Sequence, residues 1–162
     1  MKKIVVFGAS NSINSINKKL AKYAGGLVKD ANISVLDLND YVMPIYSEDI
    51  QNQYGIPELA HEFKDSLRES DGIIISFAEY NGSYTAAFKN IFDWISVIDR
   101  DVWCSKPMLL LSTSPGPRGA ADVLESAYKR INHENKNIVL AFSFPVRYFG
   151  GTHGIRNINS RS

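Results

Sequence analysis

The chain has little that would place it outside a reducing compartment or in a membrane. Cys104 is the single cysteine among 162 residues, so no internal disulfide can form, which fits a cytoplasmic location. The apolar runs are far shorter than the ~20 residues of a membrane-spanning helix, so we expect no membrane contact. Only residues 4–7 are apolar between Lys3 and Gly8, too few for a signal-peptide core.

An excess of charge of either sign is also missing. Lys and Arg number 18 against 17 Asp and Glu, which gives no electrostatic basis for binding nucleic acid. The three histidines, His61, His133 and His153, lack the spacing of metal ligands, so we predict no metal site. The hydrophobic fraction of 44% is sufficient for a full core, and the length suits a single domain over residues 1–162.

Strand and helix patterns alternate along the chain. Apolar runs typical of buried parallel strands lie at 4–7, 33–36, 73–77, 108–111 and 138–142. Stripes with helical spacing begin near Ile16, Pro57, Phe88 and Val123. This alternation predicts an α/β three-layer sandwich around a five-stranded parallel sheet.

The segment after the fifth predicted strand does not fit this pattern. A closing helix is expected there, but residues 147–162 are rich in glycine and asparagine and carry only Ile155 and Ile158 as aliphatic residues. We therefore expect the last helix to be short or missing. Part of one sheet face would then be covered by a partner subunit.

The segment between the first strand and the first helix is the strongest functional signal. Residues 8–17 contain three serines and three asparagines, and no Asp or Glu occurs from Gly8 to Lys29. A helix N-terminus has unpaired N–H groups and the positive end of the helix dipole, so this loop is suited to binding phosphate. The alternative is that Ser12, Asn14 or Ser15 only caps the helix.

Two further loops follow the third and fourth strands, at residues 78–83 and 112–119. The first contains Asn, Gly and Ser and the second is rich in Gly and Ser, and in parallel sheets such loops meet at the carboxyl edge, where ligands bind. Connecting turns use the same residues, so the coincidence of three loops carries the prediction. Together they suit a ligand with a phosphate at one end and a flat ring at the other.

These segments resemble the NAD(P)H-dependent FMN reductases of flavodoxin-like fold. The first family motif, Ser-x-Arg-x-x-Ser-x-Asn, is matched with Ser12 in place of the arginine. The second, Pro-Glu-Tyr-Asn-Gly-Ser, is matched with Ala78 in place of the proline, and Lys89, Asn90, Asp93 and Trp94 follow as in the family. The third, Ser-x-Ser-Pro-Gly-x-x-Gly-Gly, is matched with Ala120 as its last residue. The resemblance spans about residues 3 to 146.

The resemblance implies an FMN-dependent oxidoreductase with the strand order 2-1-3-4-5. NADPH or NADH would reduce FMN, and two electrons would pass by a ping-pong mechanism to a small-molecule acceptor such as a quinone, azo dye or flavin. It also implies a homodimer or homotetramer. The implied FMN-binding residues are Ser10, Ser12, Ser15, Ile16 and Asn17 at the phosphate, Glu79, Tyr80, Asn81 and Gly82 at the ring, and Ser112, Ser114 and Gly116 at its pyrimidine side.

We assign no catalytic side chain, because in such enzymes the flavin carries the chemistry. Two other functions stay open: a non-catalytic FMN-binding carrier or sensor, and a serine acyl-hydrolase of similar fold with Ser10 as nucleophile. The hydrolase would need a late Asp and His, and no Asp follows Asp122.

The serine at position 12 can be tested directly. We predict that Ser12→Arg tightens FMN binding roughly tenfold, because a guanidinium adds charge-assisted hydrogen bonds to phosphate. Fluorescence titration with FMN measures this affinity. An unchanged affinity would show that residue 12 does not face the phosphate.

Overall fold

All five predicted strands lie side by side in one sheet of the computed structural model. The structure describes residues 1–145 and, as backbone only, residues 156–157. The strands are β1 (Lys2–Ala9), β2 (Ala31–Val35), β3 (Gly72–Phe77), β4 (Met108–Ser114), β5 (Val139–Pro145) and β6 (Arg156–Asn157). The helices are α1 (Ile16–Gly26), α2 (Glu48–Tyr54), α3 (Glu58–Arg68), α4 (Ala86–Ser96) and α5 (Ala121–Glu134), with a 3-10 helix at Leu38–Tyr41.

The sheet has the order β2-β1-β3-β4-β5-β6. Its first five strands are parallel, so the predicted flavodoxin-like order is confirmed. The short strand β6, which pairs antiparallel with β5, and helix α2 were not predicted. Helix α5, 14 residues long, is the predicted helix that begins near Val123 and precedes β5. The helix expected to be short or missing would follow β5, and that segment lies outside the described residues except for 156–157.

Two apolar layers hold the sheet between helices. The larger layer packs α3, α4 and α5 against one face through residues such as Phe63, Trp94 and Leu124. The smaller layer packs Leu20 and Ala21 of α1 against the other face. The apolar stripes of the sequence therefore face the sheet, and the loops after β1, β3 and β4 meet at one edge. No helix in the described part of the chain combines the length and apolarity needed to cross a bilayer.

A buried lysine holds the connection between α4 and β4. The side chain of Lys64, on α3, is fully buried, and its ammonium group donates to the carbonyl oxygens of Asp101 at 2.5 Å and Val102 at 2.8 Å. The carboxylate of Asp99 lies 3.9 Å from the same nitrogen. Because a buried ammonium needs acceptors, these contacts fix the loop next to α3.

We predict that Lys64→Ala lowers the free energy of unfolding by about 2–4 kcal/mol, since it leaves two carbonyl groups without their donor and removes a buried side chain. The matched control is Lys89→Ala on α4. The side chain of that lysine is 52% exposed, and among the described residues it forms an ion pair with Asp93 alone, one turn away, so its loss costs less than about 0.5 kcal/mol. Urea denaturation measures both values, and equal effects would contradict the role given to Lys64.

Candidate functional site

The N-terminus of α1 is open to a ligand at the carboxyl edge of the sheet. Ser15 caps the helix, because its Oγ accepts a hydrogen bond from the backbone N–H of Lys18 at 3.1 Å. In the loop before it, Ser10 Oγ accepts from the N–H of Ser12 at 3.1 Å. The N–H groups of Ile16 and Asn17 lie in the first turn, where a helix offers no carbonyl acceptor. These groups and the helix dipole make this end attractive to an anion.

Gly8 allows the helix to start directly beside β1. A Cβ atom at this position would lie 2.4 Å from the backbone nitrogen of Lys18 and 2.7 Å from its Cα. Any side chain here would push the first turn of α1 away from the strand. The glycine therefore fixes the position of the anion-binding end.

Asn17 is buried, and its side chain makes three hydrogen bonds within the protein. Its Oδ1 accepts from Ser76 Oγ at 2.7 Å and from the backbone N–H of Thr113 at 3.0 Å. Its Nδ2 donates to the carbonyl oxygen of Thr113 at 3.0 Å. This amide joins α1 to β3 and β4, while the backbone N–H of Asn17 lies in the first turn of α1.

The loop after β3 is a tight two-residue hairpin. Tyr80 and Ser83 exchange two backbone hydrogen bonds, of 3.1 and 3.2 Å, around Asn81 and Gly82. Both central residues have positive φ, 54° and 75°, which is the geometry of a type I′ turn and explains the Asn-Gly pair. The turn leaves the side chain of Tyr80 half exposed at the edge of the cleft described below.

The carboxylate of Glu79 caps a neighbouring helix. Its Oε2 accepts a hydrogen bond of 2.8 Å from the backbone N–H of Val123, in the first turn of α5. The N-cap residue of that helix, Ala120, has a φ of 59° and no side-chain oxygen to offer. Glu79 supplies the missing acceptor, and its negative charge is favourable at a helix N-terminus.

A buried serine stabilises the conformation of the loop after β4. Ser112 is buried, and its Oγ donates to the carbonyl oxygen of Gly119 at 2.7 Å. Gly119 has a φ of 58°, and a Cβ there would lie 2.7 Å from the backbone nitrogen of Pro145. Ser112 therefore supports the shape of the loop between β4 and α5.

These three segments enclose a cleft of about 190 Å³. Its lining includes the predicted residues Ser10, Ser12, Ser15, Ile16, Asn17, Glu79, Tyr80 and Ser114, together with Asn14, Ala78, Thr113 and Pro115. Asn81, Gly82, Ser112 and Gly116 are not part of this lining. The structure thus brings together all the residues predicted at the phosphate and only part of those predicted at the ring.

Thr113 is a lining residue that the sequence interpretation did not name. Successive side chains of a strand point to opposite faces, so Thr113 lies on the face of α1, whereas Ser112 and Ser114 point away from it. The alternation along β4 could have identified it. Its Oγ1 is buried without a hydrogen-bond partner among the described residues.

Among the described residues, the cleft lining carries no Lys or Arg side chain and Glu79 is its one charged residue. The nearest cation along the chain, Lys18, forms an ion pair with Asp37. The hydrogen bond from Lys18 lowers the pKa of Asp37 below its ordinary value. A bound phosphate would therefore rest mainly on hydroxyl and amide donors and on the helix dipole. Among the described residues no group of His, Cys, Asp and Glu side chains is arranged to hold a metal ion.

The donor set fits FMN. The hydroxyl groups of Ser10 and Ser12 lie at the N-terminus of α1, beside the N–H groups of its first turn. The half-exposed Tyr80 and its hairpin lie at the other end of the cleft. The Thr113 hydroxyl group, which has no hydrogen-bond partner among the described residues, lies on the wall between them. Such a site in a five-stranded parallel sheet defines a flavodoxin-like nucleotide-binding protein.

Comparisons with known proteins give the family. The model of the NADPH-dependent FMN reductases matches residues 2–147, and the chain belongs to this family. Over 121 residues it is 35% identical to a 2-hydroxy-1,4-benzoquinone reductase of a Burkholderia species, a match that covers 74% of this chain and 64% of the relative. It is also 31% identical over 121 residues to an NAD(P)H-dependent FMN reductase of Pseudomonas aeruginosa, covering 73% of this chain and 64% of the relative.

A solved structure supports the same assignment. The flavoenzyme NAD(P)H:acceptor oxidoreductase FerB of Paracoccus denitrificans superposes with a TM-score of 0.70 at 27% identity, over 93% of this chain and 81% of the other. The predicted family is confirmed. The chain spans less than two thirds of the length of the two curated relatives above.

The close approach of α1 to β1 yields a prediction. Gly8→Ala should lower the free energy of unfolding by about 1–3 kcal/mol, because the methyl group overlaps the backbone of Lys18, and should weaken FMN binding by moving the first turn. The matched control is Gly26→Ala at the end of α1, where a Cβ meets nothing within 4 Å. That change should be neutral or stabilising by up to about 1 kcal/mol.

Thermal denaturation and FMN titration of the two variants measure these effects. If Gly8→Ala bound FMN as tightly as the wild type, the position of the first turn would not matter for the cofactor.

Proposed function

We propose that this protein is an FMN-dependent oxidoreductase that passes two electrons from NADPH or NADH to a small-molecule acceptor. The observation that carries the proposal is the single cleft shared by the N-terminus of α1 and the loops after β3 and β4. Ligands of parallel α/β sheets bind at this edge.

The first turn of α1 would hold the FMN phosphate. The hydroxyl groups of Ser10 and Ser12 and the N–H groups of Ile16 and Asn17 would donate to its oxygens, and Ser15 would keep the turn in place. Since the amide of Asn17 is committed to Thr113 and Ser76, its contribution would come from the backbone.

The hairpin after β3 would support the ring. Glu79, Tyr80, Asn81 and Gly82 offer backbone groups along its edge, with Ser114 and Gly116 on the loop after β4. Ser112 would act indirectly, through its bond to Gly119. Bound FMN supplies the two-electron chemistry between nicotinamide and acceptor. The family resemblance favours a ping-pong order, in which the nicotinamide and then the acceptor react with the same flavin.

A quinone is the acceptor class that the relatives favour. One curated relative is named for a hydroxybenzoquinone and another, from Escherichia coli, is a quinone reductase that matches 49% of this chain. We propose quinones first, with azo compounds and free flavins as further acceptors.

We also propose an oligomeric state and a cellular location for this protein. On the face of α1, Leu140 of β5 is 44% exposed and Phe142 and Phe144 are half-buried, which favours a homodimer or homotetramer. The single Cys104 fits a cytoplasmic location.

The serine hydrolase has less support in the structure. Ser10 Oγ accepts a hydrogen bond from Ser12, and neither His61 nor His133 lines the cleft. His153 lies outside the described residues. Because a serine without a base is a weak nucleophile, the flavin site is the better explanation of Ser10.

We predict that the purified protein binds FMN and shows flavin absorbance bands, and that NADPH or NADH bleaches them under anaerobic conditions. Adding a quinone should then restore the bands. The measurement is stopped-flow absorbance. Buffer without flavin and heat-denatured protein are the controls. Binding without bleaching would identify a carrier or sensor, and no binding of FMN would contradict the proposal.

A further inference from the structure

Glu79 places a negative charge in the wall of the cleft. Among the described residues of the lining it is the one charged side chain, and it is partly buried. Lys18, which follows the first cleft loop, is paired with Asp37. Arg118, in the loop after β4, is paired with Asp122. No cation in the described part of the lining therefore offsets the carboxylate.

The position of this carboxylate is fixed by α5. Its Oε2 accepts the hydrogen bond of 2.8 Å from the backbone N–H of Val123. Because Ala120 at the N-cap makes no side-chain hydrogen bond, the first turn of the helix depends on this acceptor. A partly buried charge is screened less by water and salt than an exposed one. The charge of Glu79 therefore acts on a group that binds in the cleft.

The reaction proposed for this site changes the charge of the bound ring. A hydride from NADPH or NADH brings two electrons and one proton to the flavin, so a neutral oxidised ring becomes an anion. A negative charge nearby destabilises this anion more than the neutral ring, because like charges repel each other. An interaction that disfavours the reduced form lowers the reduction potential.

We propose that the carboxylate of Glu79 lowers the reduction potential of the flavin bound in the cleft. This inference rests on the proposed function and gives the side chain a second role beside the capping of α5. A lower potential makes the reduced flavin a stronger electron donor, which favours transfer to an acceptor such as a quinone.

Two substitutions separate the charge from the cap. Glu79→Gln removes the charge and keeps an oxygen that accepts from Val123. We expect the affinity for reduced FMN, relative to oxidised FMN, to rise about tenfold, which raises the midpoint potential of the two-electron couple by about 30 mV. Glu79→Asp keeps the charge but shortens the side chain away from Val123. It should lower the melting temperature of the flavin-free protein and leave the potential close to the wild-type value.

Anaerobic titration of the FMN-loaded proteins against dyes of known potential, followed by absorbance, measures the midpoint potential. The matched control is Asp122→Asn, which changes the net charge by the same amount. Asp122 also lies in the first turn of α5, but it pairs with Arg118 and does not line the cleft. The potential of this variant should equal that of the wild type.

The inference is overturned by a Glu79→Gln protein whose potential equals or falls below the wild-type value, or that no longer binds FMN. An equal rise in Asp122→Asn would reduce the effect to net charge, and an equal rise in Glu79→Asp would trace it to the lost cap. Either result also overturns the inference. In all of these the wild type binds FMN, so the proposed function stands. A wild type that binds no FMN refutes the proposed function, and the role of Glu79 with it.

Discussion

The geometry of the cleft depends on the side-chain amide of Asn17. It takes a hydrogen bond from Ser76 on β3 and pairs with both backbone groups of Thr113 on β4, while its own backbone belongs to the first turn of α1. One buried residue therefore joins the anion-binding end of the helix to two strand ends. Gly8 makes the third connection, because it lets the same turn contact β1 through the backbone.

In the described part of the chain, the lining of the proposed phosphate site carries no cation. Where the family pattern has an arginine, Ser12 is exposed, and the neighbouring Lys18 is paired with Asp37. Neutral donors and the helix dipole then provide most of the attraction. A site of this kind depends on precise placement of the donors more than on long-range charge, which explains why the turn is fixed by Asn17 and Gly8.

The sequence predicted the sheet well because its central strands β1, β3 and β4 are largely buried on both faces. Continuous apolar runs identify such strands, and motifs at their ends locate the site. The pattern could not separate roles within a motif. Ser112 and Glu79 look like ligand groups in the sequence, yet Ser112 holds Gly119 and Glu79 caps α5. These partners are distant in sequence or on another element, so they emerge only from the fold. Thr113 was missed for a different reason, because the alternation of side chains along β4, which places it on the face of α1, was not used.

The central claim is that the N-terminus of α1 holds the phosphate of FMN. A crystal structure of the protein with FMN tests it most directly. We expect phosphate oxygens within about 2.7–3.2 Å of the backbone nitrogens of Ile16 and Asn17, with the ring against the Tyr80–Ser83 hairpin. A flavin bound elsewhere, or one whose phosphate points away from α1 into solvent, would contradict the account.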